Sequence, residues 1–303
     1  INRSGQLLRF NSATPGTATS VAITGLVTSE TLVGIDFRPA TGQLFGLGVN
    51  STNGSSSLYI IDPQTGAATT VGTVTDAAGS PVSLAGSTQF GIDFNPTVDR
   101  IRIVTNTGLN FRVNPNNGAF VDGDTVTAGT QPDGRINGST TTVDATAYTN
   151  SFGGATVTTQ YTLDANSDRL FIQNPPNNGT QTIPLAVTLN GSPLNFDAVN
   201  GFDIPSTVRT TASNAPTSGL GFAALTVAGA TNLYTIDLLT GAATNLGAIG
   251  SATTGLIGLT AAETPINPTL STNFASNGRA VTAIGGNSPS FVQFSLTRKE
   301  NAS

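Results

Sequence analysis

Three aspartates recur in one apolar frame: Gly34-Ile35-Asp36-Phe37, Gly91-Ile92-Asp93-Phe94 and, relaxed, Gly201-Phe202-Asp203-Ile204. Carboxyl groups brought to one place repel unless they share protons or bind a cation. An all-oxygen set of this kind suits a hard ion such as calcium. Asp36, Asp93 and Asp203 are therefore candidate metal ligands, with Thr149 and Thr260 expected at the matching positions of two further units. The plainer alternative is structural, each aspartate holding an amide of a turn or of the neighbouring repeat.

A second cluster runs from Asp99 to Asn114. Arg100, Arg102 and Arg112 place three of the chain's twelve basic side chains within thirteen residues, with Asn106 and Asn110 among them. Strand alternation puts Arg100 and Arg102 on one face, opposite Ile101 and Ile103. Arginine and amide forks suit a carboxylate or a sugar, so Arg100, Arg102, Asn110 and Arg112 form the candidate ligand-binding set. Ion pairing between repeats, with Asp93 or Asp99 as partner, is the alternative. Asp122, Asp124 and Asp133 add acidic loop residues without the spacing of a calcium-binding loop.

What is missing narrows the chemistry further. The chain has no His, Cys, Met or Trp. A Ser-His-Asp triad, a thiol nucleophile and zinc held by His or Cys are excluded. No catalytic residue is assigned, and an enzyme is not expected. A net charge of −5, one lysine (Lys299) and no basic run argue against nucleic acid. The missing types include the side chains most easily oxidised, which fits a protein that persists outside the cell. No apolar run reaches the ~18–20 residues that span a bilayer. A start at Ile1 is read as a processed, exported chain.

The elements that must carry these residues repeat. The stretch from Leu32 to Leu47 reads as a buried strand, a Pro/Gly turn and a second strand. Leu233-Tyr-Thr-Ile-Asp-Leu-Leu-Thr-Gly-Ala-Ala-Thr244 nearly copies Leu58-Tyr-Ile-Ile-Asp-Pro-Gln-Thr-Gly-Ala-Ala-Thr69. Spacings of 57, 110 and 57 residues separate Gly34, Gly91, Gly201 and Gly258. The long interval is two periods, with a divergent unit at residues 141–187. Four strands per period is the arithmetic of a propeller. The expectation is an all-β propeller of five four-stranded blades over residues 1–263. Its N-terminal strands, 7–10 and 17–23, would close the ring against the strand at 254–263. Tyr59, Tyr148, Tyr161 and Tyr234 fall where blade interfaces should lie. Residues 264–278 read as a linker, and residues 279–303 as a strand pair with a polar tail. That tail either completes the fifth unit or is donated to a neighbouring molecule.

Gly34-Ile-Asp-Phe-Arg-Pro-Ala-Thr-Gly-Gln-Leu44, Gly91-Ile-Asp-Phe-Asn-Pro-Thr-Val-Asp-Arg-Ile-Arg102, Ala147-Tyr-Thr-Asn150 and Asn174-Pro-Pro-Asn-Asn-Gly179 resemble the bacterial DUF4394 family. The resemblance covers about residues 5–260. It implies an exported, propeller-like domain of unknown biochemical function, and it transfers no catalytic residue. Residues 264–303 look like an addition to the family pattern. Two functions remain in view. One is a secreted or cell-surface structural, assembly or adhesion subunit without catalysis, self-associating through its terminal strands. The other is an extracellular carbohydrate binder or hydrolase using Asp36, Asp93 and Asp203, by analogy with the acidic residues of propeller glycosidases.

Overall fold

A computed structural model describes residues 1–76, 78–124, 126–250, 255–262, 281–283 and 294–296. Asn, Thr, Ser and Gly supply turns and strands, and the described residues are all-β apart from one 3-10 turn at Pro176–Asn178. It divides into two compact units, Ile1–Ala261 and Ala262–Ser303.

The first unit opens with the hairpin β1 (Gln6–Phe10) and β2 (Ala18–Ala22). Blade one follows in meander order as β3 (Thr31–Phe37), β4 (Leu44–Val49), β5 (Ser56–Ile61) and β6 (Ala68–Thr73). Blade two is β7 (Phe90–Asn95), β8 (Arg100–Thr105) and β9 (Asn110–Val113). Its fourth strand is reduced to a bridge between Val113 and Phe120. Blade three holds β10 (Asn137–Gly138), β11 (Ala145–Tyr148), β12 (Gln160–Asp164), β13 (Arg169–Gln173) and β14 (Thr180–Ala186). Blade four holds β15 (Thr188–Leu189), β16 (Ser192–Pro193), β17 (Ala198–Asp203), β18 (Leu220–Val227), β19 (Ala230–Asp237) and β20 (Ala242–Ala248).

The sheets form a propeller around the inner strands β3, β7, β11 and β17, and the expected five full blades become four. At the fifth place stand the β1–β2 hairpin and residues 255–260. The Ile257 N–H donates to Ile1 O and the Arg3 N–H to Gly255 O, both at 3.0 Å, and Asn2 bridges Leu256. This ladder joins the two ends of the ring but is too short to form another full sheet.

Apolar strand faces pack between blades. One core lies between blades three and four, around Tyr161, Phe196, Phe202 and Tyr234. Another lies between blades one and two, around Phe45, Ile92, Phe94 and Phe111. Ile1 and Leu7 pack on Leu32, Ile35 and Tyr59 of blade one. Burying such side chains contributes roughly 1.5–3 kcal/mol each. All four tyrosines are buried, as the strand pattern predicts.

The repeated turn before each outer strand is an inter-blade joint. Segments leaving one blade donate an amide to the turn glycine of the next: Thr24 to Gly66, Thr75 to Gly118, Asn137 to Gly179 and Thr188 to Gly241, at 3.0–3.3 Å. Gly250 donates to Pro15 at the fifth place. Gly66 has φ 76, and a Cβ there would run into the carbonyl oxygen of Ala22. Glycine is required both by the left-handed backbone and by that approach.

The second unit contains β21 (Val281–Ala283) and β22 (Phe294–Leu296), paired antiparallel. The expected linker 264–278 and the polar tail lie outside the described residues.

Candidate functional site

The innermost strands converge on one axis. Asp36 is the last residue but one of β3, Asp93 lies in β7 and Asp203 ends β17, and all three side chains are buried. One carboxylate oxygen from each lies within 4.8 Å of the others. The three aspartates marked by the repeat therefore meet in the structure.

Each aspartate fastens its own blade to the next inner strand. Asp36 Oδ2 accepts the Phe94 N–H at 2.8 Å, Asp93 Oδ1 accepts the Tyr148 N–H at 3.3 Å, and Asp203 Oδ2 accepts the Ala261 N–H at 2.5 Å. Asp36 and Asp203 also accept the amides of Phe37 and Ile204. The Thr260 hydroxyl lies 2.9 Å from Asp36 Oδ1 and 3.0 Å from Asp203 Oδ2, tying blades four and one together through the closing segment.

The same register corrects one position. Phe94, Tyr148 and Ala261 each follow the residue at the aspartate's place, so blade three carries Ala147 there, and not Thr149. Thr149 instead accepts the Thr159 amide within its own blade. Thr260 does occupy the fifth place.

Burial is the main force on the charges of this cluster. It raises Asp36 well above the ordinary carboxylate range, and the charge of Asp203 adds to it. Burial raises Asp93 likewise, followed by the charges of Asp36 and Asp203. Asp203 is pushed up to about 6 by burial, against the pull of its hydrogen bonds. Three carboxyl groups this close hold at least one proton between them unless a cation takes its place. Asp36, Asp93, Asp203 and the Thr260 hydroxyl are the side chains that would hold such an ion. With one oxygen from each side chain the set supplies four ligands, so calcium, which takes six to eight, would need bidentate carboxylates or further donors.

The axis beside this cluster is tightly closed. A Cβ on Gly258 would lie 3.1 Å from the Gly34 Cα, and one on Gly34 would collide with Ile92. The small cleft at this level is lined by Gly34, Gly91, Ala145, Gly201 and Gly258 with their neighbours. Glycine or alanine at each inner strand lets the strands meet without leaving a channel.

The second candidate set divides. Arg100 turns back on the carbonyls of Val98 and Asp99. Arg102, Asn110 and Arg112 come together, but around Asp133. Arg102 is fully buried and bonds Asp133, Asn110 Oδ1 at 3.0 Å, Asn177 Oδ1 at 2.9 Å and the Tyr148 hydroxyl at 3.2 Å. Arg112 grips both Asp133 oxygens at 2.9 Å and reaches Asp122 O. Asn110 donates to the carbonyls of Gly134 and Pro176.

The network continues into blade three. Gln173 donates to Asn110 and accepts from Gln181, which takes the Thr162 hydroxyl. Tyr148 donates to Gln160. These buried groups satisfy one another between blades two and three. Of the two expected partners, Asp99 pairs with Arg38 across blades one and two, and Asp93 accepts the Tyr148 N–H on the axis.

The sequence pointed to Asp133 only as an acidic loop residue and to Tyr148 only as an interface side chain, and it did not point to Asn177 or to Gln160, Gln173 and Gln181. The polar role of Tyr148 is the informative one, because it touches both clusters. The only signal for Asp133 was an acidic residue in a Pro-Asp-Gly turn, which ordinarily stays in solvent.

Inner strands fastened around a closed axis define a β-propeller whose described polar clusters serve its own blades. The chain belongs to the DUF4394 family, a domain of unknown function, whose model matches residues 6–260. No curated protein matches it. Among solved structures it is similar to a structural genomics protein of unknown function from Bacteroides thetaiotaomicron VPI-5482, with 13% identity and a TM-score of 0.46 over 85% of this chain and 62% of that one. It is also similar to the Dos1 propeller (11% identity, TM-score 0.37, 76% of this chain and 51% of that one). A third is Saccharomyces cerevisiae Sqt1 (11%, 0.34, 84% and 72%). Among the described residues no helix is long and apolar enough to cross a membrane.

Proposed function

We propose that this propeller is a non-catalytic structural subunit that works outside the cell or at its surface and self-associates through its terminal strands. The observation that carries the reading is the closure of the ring by residues 1–22 and 255–261. The family match ends at residue 260, and Ala262–Ser303 form a compact unit of their own. A strand-bearing segment beyond the family pattern is suited to serve assembly. The lack of His and Cys, the closed axis and the internal pairing of Arg102, Asn110 and Arg112 all favour structure over catalysis.

The test is removal of residues 264–303 from the full chain, with light scattering and electron microscopy before and after. The expected result is a folded, monomeric propeller from a parent that forms larger species. A truncated protein that still assembles removes the reading. For the carbohydrate alternative, Asn in place of Asp36, Asp93 and Asp203 would abolish binding or cleavage across a glycan panel.

A further inference from the structure

We propose that Asn190-Gly191, at the tip of the β15–β16 hairpin, is a modification site: of the described Asn-Gly pairs, it is the one at which the folded chain deamidates first.

The chain carries seven Asn-Gly pairs, at Asn53, Asn117, Asn137, Asn178, Asn190, Asn200 and Asn277. Asn277-Gly278 lies outside the described residues. The reaction joins the glycine backbone nitrogen to the Cγ of the preceding asparagine. That nitrogen gives up its proton, the new N–C bond closes a five-membered imide, and the side-chain nitrogen leaves as ammonia. Water then opens the imide. Breaking the bond to Cγ yields aspartate, and breaking the bond to the main-chain carbonyl carbon yields isoaspartate. Nothing is oxidised or reduced, and water is the only co-reactant. Two restraints hold a pair back: a glycine N–H engaged in a hydrogen bond, and an asparagine side chain tied away from that nitrogen.

Five of the six described pairs carry one or both restraints. Gly54, Gly118 and Gly179 donate their amides to the carbonyls of Asn50, Asn114 and Pro176, at 2.8, 2.8 and 3.2 Å. Asn53 and Asn117 also accept the amides of Ser55 and Ala119. Asn137 donates to the carbonyls of Arg135 and Asn178 and accepts the Thr180 hydroxyl. Asn200 is buried, donates to Leu256 O at 2.8 Å and accepts the Thr226 hydroxyl at 2.6 Å.

Asn190-Gly191 has neither restraint. Both residues are exposed, and among the described residues no hydrogen bond holds the Asn190 side chain or the Gly191 N–H. A Cβ on Gly191 would meet nothing within 4 Å, so the tip is open to water. Asn190 and Gly191 are left-handed, at φ 52 and 79, as a two-residue hairpin turn requires. The arms behind them are two residues each, paired as Thr188↔Pro193 and Leu189↔Ser192. So short a hairpin resists rearrangement of its tip weakly.

The site matters to the joint behind it. Isoaspartate adds a backbone carbon to a turn built for two residues, and either product adds a negative charge. β15 also runs parallel to β20 through Thr188↔Ala242 and Leu189↔Ala243, and the Thr188 N–H donates to Gly241 O at 3.0 Å. Conversion of Asn190 therefore loosens the contact between blades three and four.

The experiment ages the full chain in warm, mildly alkaline buffer, folded and in urea, and follows each Asn-Gly peptide by mass spectrometry. In the folded chain Asn190 is expected to convert at least tenfold faster than any of the other five described pairs. In urea all six convert at similar rates. Hydrogen exchange at the Thr188 amide is expected to speed up in the aged folded chain and to stay slow in Asn190→Ser aged alongside it. Another described pair converting as fast as Asn190 in the folded chain overturns the site, as does an intact Asn190 after the unfolded chain has converted. The same tenfold lead in urea overturns the fold as its cause. Unchanged exchange at Thr188 after Asn190 has converted overturns the loosening of the joint.

Discussion

Asp36 accepts the backbone N–H of Phe94 at 2.8 Å, across the boundary between blades one and two. The bond is one of three made the same way, and it turns a carboxylate buried on the axis into a fastening between repeats. Asp36→Ala would leave the amides of Phe37 and Phe94 and the Thr260 hydroxyl without this acceptor. Buried groups stranded in this way cost about 1–3 kcal/mol each, so a loss of about 2–4 kcal/mol is expected after the repulsion from Asp203 is relieved. Asp36→Asn, which keeps one acceptor oxygen, loses less than half as much. Urea unfolding of both variants checks the order. An alanine variant as stable as the parent would show the bond to be incidental.

The axial carboxyl groups set an unusual pH dependence. Asp36, Asp93 and Asp203 all titrate above their ordinary value of 3.8 in the fold, Asp203 at about 6, and Asp144 is also raised to about 6 by burial. A raised folded value means that the fold binds protons the unfolded chain has released. That contribution is complete below pH 3.8 and is lost as pH rises through 6 and beyond. Asp99, lowered by its bond to Arg38, acts in the opposite sense and loses its contribution as pH falls below its ordinary range. Melting temperature should therefore peak in mildly acidic solution and fall toward pH 8. Asp93→Asn, which keeps an acceptor for Tyr148, should flatten the fall. An ion bound by the three carboxylates would do the same, so calcium and chelator arms at pH 8 separate proton sharing from metal binding. A profile that rises steadily from pH 4 to 8 would contradict the proton-sharing cluster.

Much of this arrangement was legible because the repeat carries its own markers. Gly34, Gly91, Gly201 and Gly258 sit where inner strands touch, so their spacing located those strands. The turn glycines located the joints. The aspartates were found because their hydrogen bonds are the same in three blades. Blade three has neither glycine nor aspartate at these places. Ala145-Thr146-Ala147-Tyr148 gives no anchor, and the phase slipped by two residues to Thr149. The pairing of Asp133 was not legible, for a different reason. Its partners Arg102 and Arg112 come from strands fixed by the repeat, whereas its own position depends on the path of a long connection, which local patterning does not determine.

Asp133 is the counter-charge for two arginines, with no exposure of its side chain. Removing one member of a buried ion cluster leaves charge without compensation, at a cost of about 3–5 kcal/mol. Asp133→Ala is expected to destabilise by that amount. Arg100→Ala, at a side chain bonded only to nearby carbonyls, is expected to stay within about 0.5 kcal/mol. Chemical denaturation measures both. Equal effects would mean that the arginines act independently of Asp133.

Gly66 and Gly42 give a final contrast, because their backbones are nearly the same, at φ 76 and 71. A Cβ at Gly42 meets nothing within 4 Å, whereas one at Gly66 runs into Ala22 O. Gly42→Ala therefore bears only the left-handed backbone, on the order of 1 kcal/mol. Gly66→Ala bears that and also forces apart the joint between the N-terminal hairpin and blade one. It should cost at least twice as much, and its hydrogen-exchange protection should fall at Thr24 and Ala68, the residues bonded across that joint. If the two variants melt together, the repeated turn is a local device and the blades are held by their cores alone.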